Sequence, residues 1–82
     1  MSKKGVGLHV LLVLHDRRAA QAHSLRLQLR GCQVTVATHL RRAVEVAVDE
    51  LPDLILTDAG DLLRQLLAAD PRTRMIPVVA GA

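Results

Sequence analysis

The sequence contains no Phe, Tyr or Trp. Proteins that bind unpaired bases stack them on aromatic rings, so this absence excludes recognition of single-stranded nucleic acid by stacking. It also removes the large side chains that dominate many ligand sites and interfaces. Half of the residues are nevertheless apolar, which predicts a core built from Leu, Val, Ile and Ala.

Cysteine and long apolar runs are scarce as well. Cys32 is the only cysteine and has no partner in the chain for a disulfide, and we interpret it as a small buried hydrophobe. The sequence has no secretory signal and no apolar run of membrane length. These absences favour a cytoplasmic protein that makes no membrane contact.

Lysine is confined to Lys3 and Lys4, so arginine supplies nearly all of the 11 basic residues, which outnumber 8 acidic ones. The formal net charge is +3. Three pairs of arginines lie between the predicted elements: Arg17-Arg18, Arg41-Arg42, and Arg72 with Arg74. Scattered pairs are typical of a solvated helical surface, and they leave a basic accessory protein on nucleic acid as an alternative.

With 82 residues, the chain has the length of one small domain. We predict a flexible tail over residues 1–7 and a folded domain over residues 8–82. Gly5-Val6-Gly7 precedes the first predicted strand, whereas a phosphate-binding glycine loop would follow a strand.

The first half of the domain begins with a nearly unbroken aliphatic run at residues 8–14, which predicts a strand covered on both faces. Asp16 is placed to cap a helix that ends near Arg30, with Gly31 as its C′ residue. Alternating apolar residues at 34 and 36 predict a second strand. For the intervening helix we expect an inner face of Ala19, Ala22, Leu25 and Leu29.

The clearest periodicity follows the second strand, where helical spacing predicts a helix capped by Thr38 and closed by Pro52. Its expected inner face consists of Leu40, Ala43, Val44, Ala47, Val48 and Leu51. A short apolar run at residues 54–56 then predicts a buried strand that ends at Asp58.

The remaining residues predict a third helix and a fourth strand. Ala59-Gly60 supplies a turn and Asp61 a helix cap. The helix carries an apolar stripe of Leu62, Leu63, Leu66 and Leu67. After a loop at residues 72–75, residues 76–80 predict a strand. The alternation βαβαβαβ predicts an α/β fold with an open parallel sheet.

Two segments, residues 52–58 and 69–80, resemble the third strand and the following helix-to-strand junction of the receiver domain of bacterial response regulators. The resemblance implies a flavodoxin-like, three-layer fold with strand order 2-1-3-4. The family's order is 2-1-3-4-5, so we expect this chain to lack the last strand and its helices.

In that family, an Asp at the end of strand three accepts a phosphoryl group, and Asp58 corresponds to it by resemblance. The family's site also needs an acidic pair after strand one to hold Mg²⁺, a Ser or Thr after strand four and a Lys after strand five. Here the first position reads Leu14-His15, with Asp16 beyond it, and residues 80–82 contain no hydroxyl. The chain ends before the Lys.

We therefore expect Asp58 to be a structural carboxylate that accepts hydrogen bonds from the amides of Gly60 and Asp61. His15 and Asp16 are expected beside it as remnants of the acidic pocket, a set too small to indicate a metal site. No cofactor is expected, and Mg²⁺ would be needed only if Asp58 accepted phosphate. His9, His23 and His39 show no ligand spacing.

The leading hypothesis is a non-enzymatic pseudo-receiver that acts as a protein–protein interaction module, as a homodimer or as a small subunit of a larger assembly. Its partner-binding edge is predicted on the fourth strand, at Ile76, Val78, Val79 and Ala80, because bare edge strands pair readily. The alternatives are a minimal phosphoacceptor in a two-component phosphorelay, through Asp58, and the nucleic-acid accessory protein.

Overall fold

The computed structural model of this chain describes residues 7–80. Strands and helices alternate in the order β1 (His9–Val13), α1 (Arg17–Leu29), β2 (Gln33–Ala37), α2 (Leu40–Glu50), β3 (Leu54–Thr57), α3 (Gly60–Ala68) and β4 (Val78–Ala80). The strands form one parallel sheet with the order β2-β1-β3-β4. The predicted fold class and strand order are confirmed.

The sheet is covered on both sides, because successive side chains of β1 point to opposite faces. Leu11 and Val13 face α2 and α3 on one side, which we call the two-helix face. Leu12 faces α1 on the other side, which we call the one-helix face. This arrangement of α1, sheet and the α2–α3 layer is the predicted three-layer architecture. None of the helices within residues 7–80 combines the length and the hydropathy that a bilayer span requires.

Helix α1 has the predicted ends but not the predicted inner face. Asp16 is its N-cap and accepts hydrogen bonds from the amides of Arg18 and Ala19, and Gly31 follows its C-cap at a φ of +91°. The buried residues are Ala20 and Ser24. Small residues let the helix approach the sheet closely. The predicted Leu25 and Leu29 therefore remain 59% and 79% exposed.

Helix α2 ends before Pro52 as predicted, but its cap and the position of Leu51 differ from the prediction. His39, not Thr38, is the N-cap, and no side chain caps the helix. Leu51 lies outside the core and takes a left-handed conformation, with φ 47° and ψ 63°. Proline disfavours helical conformation in the residue before it, so Pro52 helps to end the helix at Leu51. The fully buried residues are Ala43, Val46 and Ala47, of which Val46 was not predicted.

Helix α3 begins two residues earlier than expected. Its N-cap is Ala59, which makes no side-chain cap bond, and Asp61 lies in the first turn, where a negative charge favours the helix dipole. Gly60 is buried, and a Cβ atom there would lie 2.6 Å from the Cβ of Ala80. Of the predicted leucine stripe, Leu63 and Leu67 are buried whereas Leu62 and Leu66 are exposed.

The junction between α3 and β4 is held by a buried hydroxyl. Thr73 is buried, and its Oγ1 donates a hydrogen bond to the carbonyl oxygen of Leu67 at 2.8 Å. The amide of Ile76 donates to the carbonyl of Thr73. The turn thus continues past residue 75, and β4 starts at Val78 rather than at Ile76.

Asp70 and Arg72 form an ion pair in the same junction. Arg72 donates to Asp70 through its backbone amide, its Nε and its Nη2, at 2.8, 3.1 and 2.7 Å. These bonds, from the side chain first and the backbone second, hold the pKa of Asp70 below its ordinary value. The same side-chain bonding raises the pKa of Arg72.

The first described residue is already part of the fold. The amide of Gly7 donates to the carbonyl oxygen of Gly31 at 3.2 Å, and a Cβ atom on Gly7 would lie 2.6 Å from that oxygen. Gly7 therefore belongs to the domain and not to the predicted tail, whose residues 1–6 lie outside the described residues. Cys32 is half-buried, which is less than predicted.

Candidate functional site at the carboxyl edge of the sheet

Asp58 follows the last residue of β3 and lies beside the end of β1. Its amide donates to the carbonyl of Val13 at 3.3 Å, and its Oδ2 accepts a hydrogen bond from the amide of His15 at 3.1 Å. The predicted bonds to the amides of Gly60 and Asp61 are wrong. Neighbouring parallel strands end at one edge, so the carboxylate bonds to the second residue after β1 instead of its own loop.

Thr57 shapes the loop that follows Asp58, and sequence reasoning missed it. Its side chain is fully buried, and its Oγ1 accepts a hydrogen bond from the amide of Ala59 at 3.0 Å. A Thr hydroxyl often bonds to an amide two residues ahead at the start of a turn. The Thr57-Asp58-Ala59-Gly60 sequence could have revealed it. Asp58 is thereby left exposed at the surface of a well-held turn.

The three predicted pocket residues lie near one another, but their donor atoms do not form a metal site. Oδ1 of Asp16 already accepts two amides of α1, and His15 reaches Asp58 through its backbone. Mg²⁺ requires near-octahedral oxygen coordination. Residues 7–80 contain no group of three His, Cys, Asp or Glu residues able to hold a metal. The residues present do not fit the Mg²⁺ site of the resembled family.

The histidines are placed away from this edge or exposed beside it. The Nε2 atom of His9 lies 3.1 Å from both the hydroxyl of Thr35 and a carboxylate oxygen of Glu50, at the opposite end of β1. His23 is half-buried on α1, and His39 is the exposed N-cap of α2. Each histidine therefore has a separate environment.

The predicted partner-binding edge divides into a packed part and an open part. Ile76 and Val78 pack against the core of the two-helix face. Val79 points to the other face, where it is 47% exposed, and Ala80 is exposed as well. The open part of the edge is therefore centred on Val79.

The outer rim of β4 carries a side chain that the sequence did not reveal. The carbonyl of Pro77 bonds to the amide of Ile55 in β3, so the next carbonyl, that of Val78, points away from the sheet. The Nη2 of Arg64 donates to this carbonyl at 2.8 Å, and its Nη1 lies 3.4 Å from Oδ1 of Asp61. A charged side chain that occupies the outward carbonyl of a short edge strand opposes pairing with another strand.

The one-helix face is open next to this edge. Helix α1 packs mainly against β2 and β1. Leu56 and Val79 are register partners on β3 and β4 and lie on the same face, beside the helix. Leu56 is half-buried and Val79 is exposed. The two side chains form an apolar surface that α1 covers only at its margin, beside Leu56.

Comparison with known proteins places this fold. No protein-family model matches the sequence, and no curated protein matches it either. A response regulator from Desulfuromonas acetoxidans matches with a TM-score of 0.81 and 28% identity, over 90% of this chain and 65% of that one. The N-terminal domain of a response regulator receiver protein from Methanoculleus marisnigri JR1 matches with a TM-score of 0.82 and 25% identity, over 87% and 63%.

These likenesses define the class of the protein as a receiver-domain fold, which confirms the resemblance of residues 52–58 and 69–80. Residues 7–80 are similar to response regulators in their four-stranded receiver fold, and the chain spans less than two thirds of the length of either neighbour.

Proposed function

We propose that this chain is a non-catalytic pseudo-receiver that regulates by protein contact. The observation that carries the proposal is the hydrogen bonding of the two carboxylates at the carboxyl edge of the sheet. After β1 the only acid is Asp16, beside His15, and it caps α1, while Asp58 accepts the amide of His15. Phosphoryl transfer needs positioned cations to neutralise the developing charge. The carboxylates at this edge keep the positions of the receiver fold, but we assign them a structural role.

The contact surface of the proposal is the open apolar patch of Leu56 and Val79 together with the adjoining rim of β4. Apolar area left in water favours association in proportion to its size. The partner is a second copy of the chain or a larger assembly in which this chain is a small subunit. Pairing along the rim requires Arg64 to leave the carbonyl of Val78, so we expect the face to make the first contact.

Size-exclusion chromatography with light scattering at micromolar concentration tests this surface. We expect a dimer for the unmodified chain and a monomer for Val79→Glu. Leu66→Glu is the matched control, because Leu66 has a similar exposure of 45% but lies on α3, on the other side of the sheet. It should leave the dimer intact. A well-folded monomer of the unmodified chain, or equal effects of both variants, contradicts the proposal.

A phosphoacceptor is the second candidate, and the exposure of Asp58 at the end of β3 favours it. Intact-mass measurement after incubation with acetyl phosphate and Mg²⁺ separates the two functions. Our proposal predicts no adduct. An adduct that Asp58→Ala abolishes and Asp61→Ala keeps would replace the pseudo-receiver with a working acceptor.

We further propose that the module acts in the cytoplasm, without a resident cofactor and without nucleic acid. Two of its arginines, Arg64 and Arg72, already bond to a carbonyl or a carboxylate within the fold. Fluorescence anisotropy with labelled duplex DNA should show no binding at physiological salt. Tight binding that weakens steeply with added salt would favour the nucleic-acid alternative.

A further inference from the structure

An open groove of about 600 Å³ lies between α1 and the end of β2, where the chain enters α2. Its volume falls in the range of small-molecule sites, about 300–1,000 Å³. We call it the α1–β2 groove; the lining residues that matter here are Arg17, Ser24, Leu25, Val36, His39 and Arg42.

One arginine from each of two sequence pairs lines the groove. Arg17 and Arg42 line it, whereas their neighbours Arg18 and Arg41 do not. No Asp or Glu is among the lining residues. A guanidinium has five N–H donors, and Arg42 uses one of them in a weak hydrogen bond to Glu45, at 3.3 Å. The groove therefore offers two available cations to a ligand.

Both arginines occupy positions that a helix alone disfavours. Arg17 is the first residue of α1, whose N-cap Asp16 supplies a carboxylate, whereas Arg42 is the third residue of α2, which has no acidic residue in its first turn. The positive end of a helix dipole repels cations and attracts anions. The N-cap of α2, His39, also provides no side-chain acceptor for the first amides. A bound anion would supply at α2 the negative charge that Asp16 supplies at α1.

The same groove contains apolar side chains that the core leaves unused. Leu25 on α1 and Val36 on β2 line it and remain 59% and 40% exposed. Ser24, which also lines it, has its hydroxyl engaged by the side chain of Gln28 at 2.9 Å. An inorganic anion would not cover the two apolar side chains, whereas an organic one would.

We infer that the α1–β2 groove binds a phosphate monoester with an apolar organic group. Two arginines match the charge of a phosphate dianion, and a guanidinium matches phosphate oxygens in bidentate geometry. Leu25 and Val36 contact the organic group. The site is separate from Asp58, which is not among the lining residues. It would give the proposed regulatory module a small-molecule input.

Titration of the chain with phenyl phosphate, followed by ¹H–¹⁵N NMR, tests the inference. We expect saturable shifts at Val36 and Ala37 with a Kd of about 1 mM or below. Arg17→Gln and Arg42→Gln should each raise the Kd about tenfold, since each removes a charge-assisted bond. The matched controls Arg18→Gln and Arg41→Gln should leave it within about twofold. All four side chains are exposed, so the variants retain the fold.

Two further probes separate the parts of the site. Inorganic phosphate and benzoate should each bind several times more weakly than phenyl phosphate, the first for want of an apolar group and the second for want of a second charge. Equal binding of either probe overturns the inferred ligand class. If the groove variants and their controls lose affinity for phenyl phosphate equally, net charge alone attracts the ligand, and the inferred site is overturned. Absence of saturation up to about 10 mM overturns it as well.

Discussion

The two faces of the sheet differ in how completely they are covered. On the two-helix face, α2 and α3 bury a continuous cluster that extends from Leu11 to Leu67. On the one-helix face, α1 packs on a smaller cluster of Leu12, Leu14 and Ala20, with Leu56 partly covered at the margin. The two-helix face, which we now call the closed face, supplies most of the packing that holds the domain together; the one-helix face is the open face. The open face keeps both the apolar patch at Val79 and the α1–β2 groove accessible.

The largest expected effect tests this difference directly. Leu63→Ala on the closed face should lower the free energy of unfolding by about 2–5 kcal/mol, because it leaves a cavity in a fully buried cluster. Leu56→Ala on the open face should cost about 1–2 kcal/mol, since solvent already reaches that side chain. Urea denaturation followed by circular dichroism measures both. Equal losses would show that the two faces are packed alike.

The contact between Gly60 and Ala80 shows how far the close packing extends toward β4. Gly60→Ala places a Cβ atom 2.6 Å from that of Ala80, and we expect a loss of about 1–3 kcal/mol from this overpacking. The double variant Gly60→Ala with Ala80→Gly removes the clash, because the next atom is 3.6 Å away. It should recover part of the stability in the same denaturation assay. No recovery would place the cost elsewhere.

Substitutions of Thr73 test how much the buried hydroxyl at the junction between α3 and β4 stabilises the fold. Thr73→Val keeps the shape but removes the bond to the carbonyl of Leu67, and should cost about 1–2 kcal/mol. Thr73→Ser keeps the bond and should cost less. Thermal unfolding followed by circular dichroism gives the order of the variants, and a more stable valine variant would contradict the assigned role.

The smallest effect is a pH dependence at Asp70. Its pKa is lowered by Arg72 in the folded chain, so its contribution is present above the ordinary value of 3.8 and is lost as the pH falls through the lowered value. The stability difference between the unmodified chain and Asp70→Asn should therefore shrink on acidification below about pH 4. Arg72→Gln should remove the same pH-dependent part. A difference that is constant across this range would exclude the ion pair as its source.

Local patterns were sufficient to predict the elements, their order and two of the helix ends. The cap at Asp16 and the left-handed Gly31 depend on neighbouring residues alone, and both are confirmed. The inner face of α1 was wrong because apolar residues occur on more than one side of it. The side of α1 that packs against the sheet is the one with the smaller residues, Ala20 and Ser24.

The candidate site was predicted in position and not in bonding. Asp58 lies at the predicted end of β3, but its hydrogen bond to His15 joins residues 43 positions apart. The bond of Arg64 to the rim of β4 and the arginines of the groove likewise depend on which elements are adjacent. Spacing along the chain contains no information on such contacts until the packing of the helices is known.

Leu51 gives the fold a place where it can be engineered. Its left-handed backbone costs a non-glycine residue about 1–2 kcal/mol, and the side chain is largely exposed, outside both faces. Leu51→Gly releases that strain but adds freedom to the unfolded chain, so a net gain of up to about 1 kcal/mol is expected. A rise of a few degrees in Tm would show it. Because neither the patch nor the groove includes this residue, the gain could offset the cost of mutations that reshape either surface.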